Sequence, residues 1–168
     1  MNGGLLKEIN GLNLNVEIVK KYKLSNGIRL LLIPMLSNLF AAGIYIKSGS
    51  ANETSNYGIA HFLEHMTFKG TTSKTSSDIN DLLESLGSIY NASTTAEYTN
   101  YYISGNPTDA EQLIELLLDL YKNPIYPQKD IEIEKRVVIE ELRMSRDDSI
   151  KTLLNKIRKN LFLNHPDL

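Results

Sequence analysis

Two histidines and a glutamate between positions 61 and 65 are the residues of this 168-residue chain best placed to do chemistry together. In an α-helix, residues three and four positions apart lie about one turn from each other, so His61, Glu64 and His65 can converge on one point. Neutral imidazole is a common zinc ligand, and a carboxylate beside the metal can take a proton from a bound water. The spacing therefore predicts a metal site. The alternative is a pair of core histidines with Glu64 facing solvent.

A catalytic zinc site needs a third protein ligand, and the chain has no cysteine and only three histidines. The best source is a helix predicted from about Gln128 to Arg146, where acidic residues stand among apolar ones. Glu134 and Glu141 share a face of this helix, whereas Glu140 is turned by about 100° from Glu141. Periodicity alone does not choose between Glu140 and Glu141. The same pattern also describes a charged helix face exposed to solvent.

The composition narrows the class of protein. Lys and Arg total 18 against 20 Asp and Glu, a formal charge of −2, so no nucleic-acid or membrane partner is expected. Residues 1–11 lack the pattern of a signal peptide, and no stretch is apolar for the length of a membrane span, which favours a cytoplasmic location. The length and the 42% hydrophobic content predict a single domain over residues 1–168.

The pattern of apolar residues predicts strands first and helices later, which indicates an α+β domain with a mainly antiparallel sheet packed against helices. Asn26-Gly27 predicts a hairpin turn, and the third strand is apolar enough to be buried on both faces. The predicted strands are Val16–Leu24, Ile28–Ile33, Leu39–Lys47, Ser88–Thr95 and Glu97–Ser104, the last two an antiparallel pair. The predicted helices are Asn56–Lys69, Ser76 or Ser77 to Leu86, Thr108–Tyr121, Gln128–Arg146 and Ser149–Leu163, with Ser76 or Ser77 and Thr108 as caps.

Two segments, Gly58–Thr71 and Glu134–Asp148, resemble in order and spacing the signature helices of the pitrilysin-type inverted zinc peptidases. That family includes insulin-degrading enzyme and the mitochondrial processing peptidase. Its motif, H-x-x-E-H, reverses the H-E-x-x-H of other zinc proteases. The resemblance implies the metal-peptidase domain of the pitrilysin-like fold and covers most of the chain.

The resemblance also implies roles for single residues. Zinc would be held by His61, His65 and Glu141, which is preferred over Glu140 because it matches the family's third ligand. Glu64 would be the general base of peptide hydrolysis. Glu134 matches an upstream glutamate that supports the site, so we expect it to have an electrostatic role in catalysis. His165 is interpreted as unrelated to the site.

The segment Ser88–Ser93 resembles the family's active-site edge strand, so Asn91 and Ala92 are expected to bind substrate through backbone pairing. A plain edge strand with Asn91 turned to solvent is the alternative. Family members enclose substrate between two related halves or two subunits. We therefore expect an incomplete N-terminal peptidase domain that cleaves peptides or unfolded polypeptides together with a second half, or as a homo- or hetero-oligomer. A non-catalytic scaffold or interaction subunit of the same fold is the other hypothesis.

Overall fold

The computed structural model describes residues 19–161, which form two units divided between Asn38 and Leu39. The start of the first predicted strand, the end of the last predicted helix and His165 lie outside the described residues.

The first unit contains an antiparallel hairpin of β1 (Lys20–Lys23) and β2 (Arg29–Leu32). Gly27 adopts a positive φ of 89° in the turn, a conformation that glycine adopts without steric cost. The Asn26 side chain accepts a hydrogen bond from the Ile28 N–H at 3.2 Å. The hairpin predicted from Asn-Gly is therefore confirmed.

The second unit contains a three-stranded antiparallel sheet with β5 in the centre. Its strands are β3 (Phe40–Ile46), β4 (Ile89–Thr94) and β5 (Thr99–Gly105). The predicted pairing of the last two strands is confirmed. Burial of β3 on both faces was a wrong prediction, because its residues alternate between half-buried and exposed. Only one face packs on the core, through Phe40, Ala42, Ile44 and Ile46.

Five α-helices lie within residues 19–161, each in a segment where the sequence predicts a helix. They are α1 (Ile59–Thr67), α2 (Ser76–Ser85), α3 (Ala110–Lys122), α4 (Gln128–Asp147) and α5 (Ser149–Leu161). Helix α3 packs on the sheet, and α1 packs against both β4 and α4. The buried core comprises Ile79, Leu83, Tyr101, Ile103, Leu113, Leu116, Leu117 and Leu120. The predicted α+β class with antiparallel strands is confirmed. Between residues 19 and 161, no helix is long and apolar enough to cross a bilayer.

The starts of two helices differ from the prediction. Thr75, not Ser76 or Ser77, caps α2: its hydroxyl accepts from the Asp78 N–H at 3.2 Å, and the Asp78 carboxylate accepts from the Thr75 N–H at 2.8 Å. This reciprocal pair satisfies two backbone donors at once, which neither serine achieves. Helix α1 begins at Ile59, later than predicted, because Gly58 has a left-handed φ of 89°.

The start of α3 also differs. A 3₁₀ turn at Pro107–Asp109 precedes the helix, and the Asn106 side chain caps this turn by accepting from the Thr108 N–H at 3.1 Å. Thr108 was therefore wrongly predicted as the cap. Proline at the first position of the turn has its φ preset and lacks the N–H that would need a partner.

The loop between α1 and α2 is anchored to the end of α3 by Asp119. Its carboxylate accepts hydrogen bonds from the Thr71 hydroxyl at 2.7 Å, the Ser73 hydroxyl at 2.8 Å and the Asn123 amide at 2.7 Å. Burial opposes ionisation of Asp119, yet these hydrogen bonds, led by the one from Asn123, and the Lys74 ammonium lower its pKa below the ordinary value. The loop that follows the histidine helix is thus held by a charged acceptor.

Candidate metal centre

Three ligand atoms from two helices meet at one point. His61 Nε2 and His65 Nε2 lie 3.2 Å apart, and Glu141 Oε2 lies 3.7 Å and 3.4 Å from them respectively. Tetrahedral zinc with bonds of about 2.0–2.1 Å places its ligand atoms about 3.3–3.4 Å from each other. The three atoms therefore have the chemistry and the spacing that zinc requires.

The open side of this triad faces solvent. The His65 side chain is 18% exposed, whereas those of His61 and Glu141 are 38% and 39% exposed. The next residues, Met66 and Thr67, are buried and fix the end of α1 in the core. A fourth ligand or a substrate can therefore approach the triad from the solvent side, as catalytic zinc sites require.

The N-terminus of α1 is capped from outside the helix by Glu53. Gly58 stands at the N-cap and has no side chain to offer. The Glu53 carboxylate accepts hydrogen bonds from the N–H groups of Gly58 at 2.6 Å and Ala60 at 2.8 Å, and it is only 8% exposed. An anion at a helix N-terminus also interacts favourably with the helix dipole. Glu53 thus fixes the first turn of the helix just before His61.

The segment that carries Glu53 is fixed to the β4–β5 turn. The N–H of Ser50 donates to the Thr95 carbonyl at 3.0 Å, and the N–H of Ala51 donates to the Ala96 carbonyl at 2.9 Å. A Cβ at Gly49 would collide with both of these carbonyl oxygens. Glycine is therefore required at position 49, and α1 is tied to the hairpin that carries β4.

Glu64 is half-buried and faces a cleft of about 230 Å³. Its Oε2 accepts a hydrogen bond from the Thr94 hydroxyl on β4 at 2.6 Å. This hydrogen bond holds the half-buried Glu64 side chain against β4. The cleft is lined by Glu64, His65, Phe68, Lys69, Tyr90, Asn91, Ala92 and Glu134.

Glu134 is buried, at 5% exposed, and its carboxylate is shared between two partners. Oε2 lies 3.1 Å from His65 Nδ1, and Oε1 contacts the Lys69 ammonium. Burial opposes ionisation of Glu134, yet the hydrogen bonds and charges of Lys69 and His65 outweigh it and lower the pKa. A carboxylate acceptor at Nδ1 places the ring proton there and leaves the Nε2 lone pair for a metal.

The two candidate glutamates of α4 have different surroundings. Glu141 approaches both histidines, whereas Glu140 is exposed and pairs with Arg143 one turn away. Neighbouring residues on a helix point about 100° apart, so only one of the two can face α1. The structure brings Glu141 to the histidines and leaves Glu140 on the solvent face.

Asn91 and Ala92 lie on β4, an edge strand of the three-stranded sheet, and both line the cleft. The Asn91 side chain is exposed, and its amide oxygen accepts a hydrogen bond from the Ala92 N–H at 2.8 Å. Both residues therefore line the same cleft as Glu64 and His65.

Three residues at this site did not stand out in the sequence. Glu53 had a local signal, since an acidic residue shortly before a predicted helix can cap it. Lys69 stands four residues after His65, but nothing in the sequence identifies Glu134 as its partner. Thr94 had no local signal, because it lies 30 residues from Glu64 and meets it only through packing of β4 on α1.

Residues 37–166 match the family model described as Insulinase (Peptidase family M16). An uncharacterized zinc protease of Bacillus subtilis (strain 168) is 36% identical over 145 residues, which are 83% of this chain and 35% of that protein. Core protein I of the mitochondrial ubiquinol-cytochrome-c reductase complex of Euglena gracilis is 34% identical over 119 residues, 70% of this chain and 24% of that protein.

A solved structure is also similar to this chain. The crystal structure of a protease from Helicobacter pylori superposes with a TM-score of 0.72 at 28% identity, covering 78% of this chain and 32% of that one. The chain thus spans about a third or less of the length of these relatives. The matched residues include both helices of the candidate metal centre, and the chain belongs to the insulinase family of peptidases, family M16.

Proposed function

We propose that this chain carries the metal centre of a zinc-dependent endopeptidase that cleaves peptides or unfolded polypeptides. The observation that carries the proposal is the meeting of three ligand atoms, from His61, His65 and Glu141, at tetrahedral spacing beside a cleft. A carboxylate and an edge strand line the same cleft. Membership of family M16 and relatives named zinc proteases support the proposal.

The residues around the triad suit the roles that hydrolysis requires. Zinc bound by His61, His65 and Glu141 would supply a Lewis acid and a water of lowered pKa. Glu64 accepts the proton of the attacking water and passes it to the leaving amine, because its carboxylate faces the cleft without belonging to the triad. The Thr94 hydroxyl holds Glu64 Oε2, which limits the rotation of the base.

The substrate is an extended peptide that adds to the edge of β4 beside Asn91 and Ala92. Strand addition uses backbone hydrogen bonds and therefore accepts many sequences. A folded protein rarely offers an extended segment of this kind, so peptides and unfolded chains are the expected substrate class.

Activity is proposed to need further protein around the cleft, either a second half of the same protein or a partner subunit. The chain spans 35% of the length of the Bacillus subtilis relative, so most of that protein has no counterpart here. The cytoplasmic location remains a prediction.

The second candidate is a non-catalytic subunit of a larger complex. The Euglena gracilis relative, a core protein of a respiratory complex, supports this alternative. The complete set of His61, Glu64, His65 and Glu141 supports the peptidase, since a subunit without catalysis has no need of both ligands and base.

Metal analysis combined with cleavage of a quenched fluorescent peptide tests the proposal. One zinc per chain is expected for the peptidase, with cleavage that a chelator stops once the second half or partner subunit is present. Glu64→Gln keeps the ligands and should bind zinc without cleaving, whereas His65→Ala should lose both. Full activity of Glu64→Gln, or purified protein that binds no zinc, would sink the proposal. Zinc binding without cleavage, even with the second half or partner subunit present, would favour the non-catalytic subunit.

A further inference from the structure

Lys69 reaches from the end of α1 to the buried carboxylate of Glu134. We propose that Lys69 is a positioning residue of the metal centre: it holds one oxygen of Glu134 so that the other faces His65. The inference rests on the proposed function, because it assigns Lys69 a part in zinc binding.

The carboxylate of Glu134 has one partner for each oxygen. Oε1 contacts the Lys69 ammonium, and Oε2 lies 3.1 Å from His65 Nδ1. Glu134 is 5% exposed, so little water is available to replace a lost partner. Without Lys69 the carboxylate keeps a single hydrogen bond and can rotate. His65 would then lose the fixed acceptor that keeps its Nε2 aimed at the metal.

The same contact links the two helices that supply the ligands. Glu134 and Glu141 lie seven residues apart on α4, about 10.5 Å along the axis. His65 lies in the last turn of α1, and Lys69 lies two residues beyond the end of that helix. The two contacts of the Glu134 carboxylate, with Lys69 and with His65, therefore fix α4 against α1. They also determine how close Glu141 lies to the histidines. Loss of Lys69 affects the placement of two of the three ligands.

Lys69 also lines the cleft, so it could instead contact a substrate. The two roles differ in one measurable respect. A positioning residue changes zinc affinity when no peptide is present, whereas a residue that contacts only substrate leaves that affinity unchanged.

The test measures the zinc dissociation constant of the full chain, without peptide, by competition with a chromophoric chelator. Lys69→Met is expected to weaken zinc binding about 10–100-fold, the usual effect of losing a residue that orients a ligand. Lys69→Arg keeps the positive charge and should retain most of the zinc affinity of the wild type. Lys135→Met is the matched control, because Lys135 adjoins Glu134 but pairs with the exposed Glu132. It should bind zinc as the wild type does.

A double-mutant cycle shows whether Lys69 acts through Glu134. In a Glu134→Gln background, Lys69→Met should cause little further loss of affinity. Far-UV circular dichroism checks that each variant is folded. If Lys69→Met loses its helical signal, the same cycle is run with Lys69→Gln. Lys69→Gln should then weaken zinc binding when Glu134 is present and cause little further loss in the Glu134→Gln background.

The outcomes separate this inference from the proposed function. Wild-type zinc binding with unchanged affinity in Lys69→Met overturns the inference alone. An equal loss in both Glu134 backgrounds also overturns it, because Lys69 would then act by another route. A wild-type chain that binds no zinc overturns both.

Discussion

Glu53→Gln should destabilise the chain by removing the charged cap of α1. The Glu53 carboxylate accepts two backbone hydrogen bonds, at 2.6 and 2.8 Å, and is 8% exposed. Glutamine keeps one acceptor oxygen and turns an amide donor toward the other N–H group. One hydrogen bond to a charged group contributes about 1.5–3 kcal/mol, and an anion at a helix N-terminus contributes about 0.3–1 kcal/mol. The expected loss is therefore about 3 kcal/mol, which lowers Tm by about 6–12 °C in a chain of this size.

Urea and thermal unfolding followed by far-UV circular dichroism measure this loss, with a chelator present so that metal does not contribute. Glu97→Gln removes the same charge from an exposed position on the β4–β5 turn and is the control. Since the cap lies just before His61, Glu53→Gln should also weaken zinc binding. The reasoning is refuted if Glu53→Gln and Glu97→Gln unfold within about 0.5 kcal/mol of each other, the range of ordinary surface substitutions.

Three further predictions concern other contacts. Thr94→Val should lower kcat about tenfold with little change in KM, because it removes the hydroxyl that holds Glu64. Thr94→Ser keeps a hydroxyl and should leave kcat unchanged. Equal kcat values in the two variants would contradict this. Glu141→Gln should weaken zinc binding in a chelator competition whereas Glu140→Gln should not, and equal losses would exclude Glu141 as the ligand. Asp119→Asn should make the free energy of unfolding depend less on pH in the acid range. The lowered pKa of Asp119 stabilises the fold above the unfolded-state pKa, and this contribution is lost as pH falls through the pKa of the folded state. Unfolding curves at several pH values measure it, and an unchanged acid transition contradicts it.

The sequence could predict what depends on local periodicity. His61, Glu64 and His65 share one side of α1 because helix spacing alone puts them there. The hairpin at Asn26-Gly27 was predicted for an equally local reason, since its turn needs a residue that accepts a positive φ.

Contacts between distant segments could not be predicted in the same way. Thr94 meets Glu64, and Lys69 meets Glu134, only after α1 packs on β4 and α4. The burial of β3 was overestimated because a run of apolar residues looks the same whether one face or both are covered. The cap of α2 was misplaced by a residue or two, a usual uncertainty where Thr75, Ser76 and Ser77 are adjacent.

Helices α1 and α4 contribute two ligands and one ligand to the proposed zinc site, from positions more than 70 residues apart in the chain. A metal that binds both helices binds the folded chain and not the separated segments. By mass action, free zinc at a hundredfold excess over its dissociation constant would add about 2.7 kcal/mol to the free energy of unfolding. The supply of zinc would then set how firmly α4 is held, and a cell short of the metal would hold this protein in a less stable and more easily degraded form.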